Sequence, residues 1–172
     1  IGAMSKQTGI LTAAEGMAVA VENAAGKSPV LLVCEHASLR MPAALGTLGL
    51  SPEALTAHIA WDPGALAIAR KLSTRFDAAL VFQNFSRLAY DCNRPPESPG
   101  AMPETSEVYT VPGNAALSHE ARAARVEALY FPFHREIDAL LRARRASGAT
   151  PVLVTVHSFT PVYFGKPRAV EV

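Results

Sequence analysis

The 172-residue chain has little charge and only two cysteines. Charged residues make up 18% of it and the net charge is +1, so the sequence predicts no nucleic-acid partner, which would need a basic surface. Cys34 and Cys92 both lie inside apolar runs, which is typical of buried free thiols and not of a disulfide framework. No apolar run reaches the ~18–20 residues of a membrane span. The first residues also lack the pattern of a signal peptide. We therefore expect no membrane partner and a cytoplasmic location.

What the chain does contain is apolar sequence for one sizeable core. Hydrophobic residues make up 49% of it, and the length suits a single domain over residues 1–172. Residues 1–3, which precede Met4, are expected to be a cloning remnant. The oligomeric state is left open by the sequence.

The order of apolar segments predicts an α/β domain with a largely parallel sheet. The segment 94–117 carries many prolines and little periodicity, so we expect it to form a long loop that is either functional or disordered. Pro132 is expected to kink the long second helix, which Ser118 begins and Gly148 ends. Buried strands are predicted at 29–34, 78–85, 87–92 and 151–156, and helices at 62–76 and 118–146.

Three polar clusters follow predicted strands. They are Glu35-His36, Asn93-Arg94 and His157-Ser158. Because functional groups of parallel sheets gather at the carboxyl ends of the strands, we expect the three clusters to lie close together. Two histidines with one carboxylate would form a metal site with an open position, as catalytic zinc requires. A histidine at such a position is, however, also common as a core or loop residue.

The carboxylate of this expected metal site has two candidates. Asp62 precedes the helix that follows the first strand and is preferred, although it also suits a plain helix N-cap. Glu35 is second, because its side chain would diverge from that of the adjacent His36 in an extended chain.

The stretch "SRLAYDCNRP" supplies two arginines near the same site. Arg87 and Arg94 suit the bidentate binding of a substrate carboxylate and the stabilisation of an oxyanion. Asn93 adds a hydrogen-bond donor to the carboxylate. Asp91 is expected either to orient one of these arginines or to form a surface ion pair with it. The sequence leaves both readings open.

Together these stretches resemble the N-formylglutamate amidohydrolase family over roughly residues 30–165. The resemblance is carried by "VCEHAS", "HIAWDPGA", "SRLAYDCNRPPESP", "MPETSE" and "VHSFTP". It implies a three-layer α/β/α fold with a mixed, largely parallel sheet, similar to that of zinc carboxypeptidases and aspartoacylases. It also implies hydrolysis of the amide bond of N-formyl-L-glutamate or a related N-acyl amino acid, a small-molecule substrate. A water activated by Zn2+ would attack the acyl carbonyl.

The resemblance also implies roles for individual residues. His36 and His157 match the histidine ligands of the zinc, and Asp62 occupies the place of the carboxylate ligand. Arg87 would polarise the scissile carbonyl. Two further residues, Asn93 and Arg94, would hold the α-carboxylate of the substrate.

Three other residues of these motifs are expected near the substrate. Glu104, in the "MPETSE" loop, is a candidate acid or gating residue. Ser38 and Ser158 are expected to contact the substrate. Neither serine lies in a G-x-S-x-G turn, so a serine nucleophile is not predicted.

One residue of the family pattern has no match in this sequence. The family carries a general-base glutamate on a late strand, so we expect the C-terminal part of the family fold to be missing and a sheet edge to be exposed. General acid–base help typically contributes about 10²–10⁴ in rate. A catalytically weak binding module for small carboxylated amino acids is therefore kept as the alternative function.

Overall fold

The computed structural model describes residues 9–169, so the expected cloning remnant at 1–3 lies outside the described residues. Within this range, no helix is long and apolar enough to cross a membrane. The helices are α1 (Pro52–Thr56), α2 (Ala65–Phe76), α3 (His119–Arg125) and α4 (Phe131–Ala146). The strands are β1 (Val19–Glu22), β2 (Val30–Cys34), β3 (Ala79–Gln83), β4 (Thr105–Ser106), β5 (Tyr109–Thr110), β6 (Val152–Thr155), β7 (Val162–Tyr163) and β8 (Lys166–Pro167).

A four-stranded sheet in the order β1-β3-β2-β6 forms the centre of the fold. β2 runs parallel to both β3 and β6, and Leu32 lies opposite Leu80 on one side and Val154 on the other. β1 adds an antiparallel edge to β3, which makes the sheet mixed. The prediction of a mixed, largely parallel sheet is therefore confirmed, although β1 was not predicted.

Helices cover both faces of the sheet. Leu32 and other side chains of one face pack with Ala69 of α2, whereas Val33 and its neighbours on the opposite face pack with Phe133 of α4. Adjacent strand residues point to opposite faces, so a continuously apolar strand such as β2 contributes to both layers. This packing confirms the predicted three-layer α/β/α arrangement.

The helix that was expected to begin at Asp62 begins three residues later, at Ala65. The N-cap position belongs to Gly64, whose φ of +81° lies in the left-handed region that glycine tolerates. Asp62 contributes only its backbone carbonyl, which accepts the Ala65 N–H. Its reading as a side-chain N-cap is therefore wrong, and its carboxylate is free to point elsewhere.

The predicted long helix over 118–146 is present, with one irregular turn. Ser118 caps it by accepting the Ala121 N–H, and Gly148 follows its last turn with a φ of +86°. The residues Val126–Tyr130, between α3 and α4, form a π-helical turn just before Pro132. Proline has no N–H to donate to the preceding turn, so the irregularity falls close to the predicted kink.

The predicted third strand at 87–92 is wrong. The Ala89 N–H donates to the carbonyl of Ser86 and the Arg94 N–H donates to that of Asp91, which makes two successive turns. The side chains of Ser86 and Asp91 also accept backbone N–H groups, and such local bonds compete with sheet pairing. Asn93 and Arg94 therefore do not follow a strand.

The last predicted strand is present as β6, but it is not buried. All four of its residues are exposed, and Leu153 retains 48% of its accessible surface. Along the part of the chain that the structure describes, β6 pairs only with β2, so it forms an edge of the sheet. The expected exposed edge is observed there. The predicted loop at 94–117 carries the short hairpin β4–β5.

Candidate metal centre and active site

The two candidate histidines lie side by side at one end of the sheet. His36 follows β2 and His157 follows β6, and the parallel register pairs Val33 with Thr155 just before them. The two ring centroids are 4.9 Å apart. His36 is buried and His157 is half-buried. The predicted convergence of the two histidines is therefore observed.

Asp62 lies between these two rings. Its Oδ2 atom is 2.9 Å from Nδ1 of His157 and 3.3 Å from Nδ1 of His36. The Asp62 backbone N–H donates to the carbonyl of His36, which fixes the loop before α2 against the end of β2. One ligand atom from each of the three residues lies within 4.8 Å of the others.

A second carboxylate lies near Nε2 of each histidine, on the side of the ring opposite Asp62. Oδ1 of Asp91 is 2.7 Å from Nε2 of His36. Oε2 of Glu35 is 3.3 Å from Nε2 of His157, but this buried oxygen makes no hydrogen bond with any described residue. Each ring is thus placed between Asp62 at Nδ1 and another carboxylate at Nε2. Glu35 lies behind His157, outside the cluster of His36, Asp62 and His157.

This arrangement fits a divalent metal such as zinc. Two imidazole nitrogens and one carboxylate oxygen form a common ligand set of catalytic zinc. Carboxylates that hold the distal nitrogen of a ligating histidine are typical of zinc sites, and Asp91 and Glu35 take those positions. The buried Glu35 Oε2 without a hydrogen bond also suits a centre that gains positive charge. The residues that would hold the ion are His36, Asp62 and His157.

The carboxylates and the histidine of the centre shift one another's pKa values toward their charged forms. Burial on its own would raise the pKa of Asp62, but hydrogen bonds from His157 and His36 outweigh it and hold that pKa well below its usual value. The pKa of Asp91 is likewise lowered, because the bond to His36 and the charges of His36 and Arg87 outweigh its burial. Burial lowers the pKa of His36, and its bonds to Asp62 and Asp91 more than compensate, so that pKa is raised.

Arg87 connects this centre to an open cavity. Its Nη2 is 2.9 Å from Oδ2 of Asp91, and its Nη1 is 3.5 Å from Oδ1 of Asp62. The Arg87 side chain keeps 30% of its surface exposed and lines the cavity. Asp91 therefore orients the arginine, one of the two readings that the sequence left open.

The cavity has a volume of about 200 Å³. Asp62, Arg87 and Ser158 line the part nearest the metal centre. The other walls include aromatic and charged side chains: Trp61, Phe159, Tyr163, His58, Glu107 and Arg168. A small ligand placed here would reach both Arg87 and Asp62.

Comparisons with known proteins identify the family of the chain. A model of the family described as N-formylglutamate amidohydrolase matches residues 28–171. The chain belongs to the N-formylglutamate amidohydrolase family. It is 60% identical in sequence to a protein of known structure, with a TM-score of 0.92, over 94% of this chain; that structure is "The crystal structure of gene product Atu2144 from Agrobacterium tumefaciens". The chain spans 64% of the length of that protein. No curated protein matches the chain.

Ser158 is the predicted substrate-binding residue that the structure brings to the cavity. Its backbone N–H donates to Oδ2 of Asp62, and its hydroxyl donates to the carbonyl of Pro63. The serine therefore holds the metal-side carboxylate as well as lining the cavity.

Four of the residues predicted to act on or bind the substrate do not line this cavity. Asn93 and Arg94 are exposed in the turn after Asp91. The Ser38 hydroxyl accepts the Arg40 N–H. Glu104 is exposed, and its carboxylate accepts the backbone N–H of Ala116. Their predicted roles in the family chemistry stay predictions.

Sequence reasoning missed four residues of the site region. Asp91 was considered only as a partner for arginine, not for His36. His58 carries no functional prediction from the sequence, but its Nε2 bonds Oε2 of Glu107 in the cavity wall. Glu107 lies in the proline-rich segment, and the expectation that this loop is either functional or disordered was the only signal for it. Nothing in the sequence pattern pointed to Arg168.

Proposed function

We propose that this chain hydrolyses the amide bond of N-formyl-L-glutamate or a related N-acyl amino acid with the help of zinc. His36, Asp62 and His157 would hold the ion. The observation that supports this most strongly is the meeting of two histidines from separate strand ends on one buried carboxylate. A cytoplasmic location is part of the same proposal.

The chain's own residues would prepare the site for this chemistry. When bound, zinc lowers the pKa of a coordinated water to about 7 and polarises a carbonyl. Asp91 bonds Nε2 of His36, and Oε2 of Glu35 lies 3.3 Å from Nε2 of His157, while both Nδ1 atoms face Asp62. This second layer fixes the ring orientation before the ion arrives.

Arg87 would act on the acyl oxygen of the substrate. Its guanidinium is fixed by Asp91, yet it faces the cavity with part of its surface free. A donor held in advance stabilises the oxyanion that forms during acyl transfer. Asn93 and Arg94 are proposed to bind the α-carboxylate after a movement of their exposed turn. The position of Glu104 outside the cavity gives no support to an acid or gating role.

One observation favours the alternative of a weakly catalytic binding module. The described carboxylates that line the cavity already have partners: Asp62 bonds both histidines, and Glu107 bonds His58. Neither is free to act as a general base. On this reading the same cavity would capture the ligand without hydrolysis.

A formate-release assay separates the two functions. We expect the zinc-loaded chain to release formate from N-formyl-L-glutamate and to stop when a chelator removes the metal. Arg87→Lys keeps the charge but loses the planar fork, so its kcat should fall by about 10²-fold or more. Thermal stabilisation by the ligand without any formate would instead identify a binding module.

A further inference from the structure

Arg168 lines the same cavity as Arg87 but has no part in the chemistry above. It follows β8, in the hairpin formed by β7 and β8, and its guanidinium carbon lies 4.6 Å from the ring centre of Tyr163 and 5.5 Å from that of Phe159. Its backbone N–H donates to the carbonyl of Pro161 at 2.8 Å. Contacts with two aromatic faces orient a guanidinium while leaving its edge N–H groups available.

The nearby acidic residue of the cavity wall, Glu107, interacts with the charge of Arg168 at longer range but forms no ion pair with it. Both oxygens of Glu107 are already used: Oε1 accepts the Phe164 N–H at 2.8 Å, and Oε2 bonds Nε2 of His58. Glu107 thereby ties the β7–β8 hairpin to the cavity wall. Among residues 9–169, Arg168 has neither a side-chain hydrogen bond nor an ion pair with a carboxylate. Its side chain is exposed and lines the cavity, and no group of residues 9–169 accepts a hydrogen bond from its donors.

Two oriented arginines thus line one cavity, and one of them is next to the metal centre. Arg87 is next to Asp62, whereas Arg168 lies among the aromatic walls. A planar guanidinium with free edge donors binds a carboxylate bidentately. The apolar faces of Phe159 and Tyr163 suit the short aliphatic stem that carries such a group.

From this geometry we infer that Arg168 is a specificity residue that binds the side-chain carboxylate of the substrate. The inference rests on the proposed function, and it adds the residue that would select a substrate with an acidic side chain. Arg168 would favour glutamate over glutamine side chains because the neutral amide of glutamine cannot accept the paired charge-assisted hydrogen bonds that a carboxylate accepts from a guanidinium.

A comparison of two substrates tests the assignment. The kcat/KM for N-formyl-L-glutamate and N-formyl-L-glutamine would be measured for the wild type, Arg168→Gln and Lys166→Gln. Lys166→Gln removes a positive charge from the same hairpin and serves as the matched control. We expect Arg168→Gln to lower kcat/KM for the glutamate substrate by about 10- to 100-fold, to leave the glutamine substrate within about twofold, and the control to change neither.

Two results would overturn the assignment. If kcat/KM falls equally for both substrates, Arg168 binds a group that they share, such as the α-carboxylate. If kcat/KM falls for neither substrate, Arg168 does not contact the substrate. If the wild type hydrolyses neither, thermal stabilisation of the zinc-loaded chain by the same two compounds replaces the rate. A glutamate-selective stabilisation that Arg168→Gln abolishes supports the inference even when hydrolysis fails. Equal stabilisation of both chains, or none in the wild type, contradicts it.

Discussion

At the scale of single residues, Asp91 joins the two halves of the proposed site. One of its oxygens holds Nε2 of His36 and the other holds Nη2 of Arg87. The same carboxylate thus orients a proposed metal ligand and the group that would stabilise the oxyanion. The contact with His36 is buried and the contact with Arg87 is half-buried. Charge-assisted hydrogen bonds are strong where water is excluded.

Replacing Asp91 with Asn should weaken metal binding while leaving the ligands in place. The amide is close in shape but removes the negative charge behind His36, and loss of such a partner typically costs 10- to 100-fold in affinity. Competition with a zinc-binding dye measures this. Asp138→Asn is the control, because Asp138 is an exposed partner of Arg142 on α4. Equal zinc affinity in the Asp91 and Asp138 variants would contradict the role given to Asp91.

At the scale of elements, strands were predictable where burial is continuous. "VLLVC" and "ALVFQ" are apolar runs that become β2 and β3 in the middle of the sheet. The stretch 87–92 carries a shorter apolar run, Leu88 to Tyr90, and there Ser86 and Asp91 bond to nearby backbone groups and turn the chain. β1 is only four residues long and mostly half-buried, so its apolar signal was too short to recognise. Local side-chain hydrogen bonds prevent a strand at 87–92, and β1 is a short strand at the edge of the sheet. The periodicity of apolar residues in the sequence shows neither effect.

The edge strand β6 carries apolar side chains that are open to solvent. Val152, Leu153 and Val154 are all exposed. An exposed apolar edge is a template for pairing with another chain. The chain is therefore expected to self-associate as its concentration rises.

Leu153→Lys should reduce that association. A lysine on an edge strand opposes edge-to-edge pairing, and a substitution of an exposed residue typically changes the free energy of unfolding by no more than about 0.5 kcal/mol. Light scattering over a concentration series, with a thermal melt in parallel, measures both effects. Unchanged association of the Leu153→Lys chain would show that β6 is not the contact.

At the scale of the whole molecule, the sheet topology made the two histidines of the site predictable. The residues around them lie in loops and could not be predicted. His36 and His157 are 121 positions apart, but both follow parallel strands, and neighbouring parallel strands end at one edge. Asp91 and Glu107 lie outside the central sheet, where tertiary contacts with residues distant in sequence place them. No spacing rule links those residues to the histidines.

The buried charges predict how the stability of the metal-free chain depends on pH. Asp62 and Asp91 have lowered pKa values, so their contribution is present above about pH 4 and is lost as the pH falls through the folded values. His36 has a raised pKa, so its contribution is complete below about pH 6.5 and is lost as the pH rises through the folded value.

A thermal melt series in the presence of a chelator checks this. The Tm should decline from about pH 6 toward pH 9, and His36→Gln should flatten that decline because it removes the titrating ring. A wild-type Tm that stays level or rises over this range would contradict the ion pairing described for His36.

The zinc content of the purified chain and its variants tests the central claim most directly. Wild type, His36→Ala, His157→Ala and His119→Ala would be loaded with zinc, dialysed and assayed for metal, with His119 as an exposed histidine on α3. The site predicts about one zinc per chain in wild type and His119→Ala, and none retained in the other two variants. Full retention of zinc by either His36→Ala or His157→Ala, or no zinc in wild type, would contradict it.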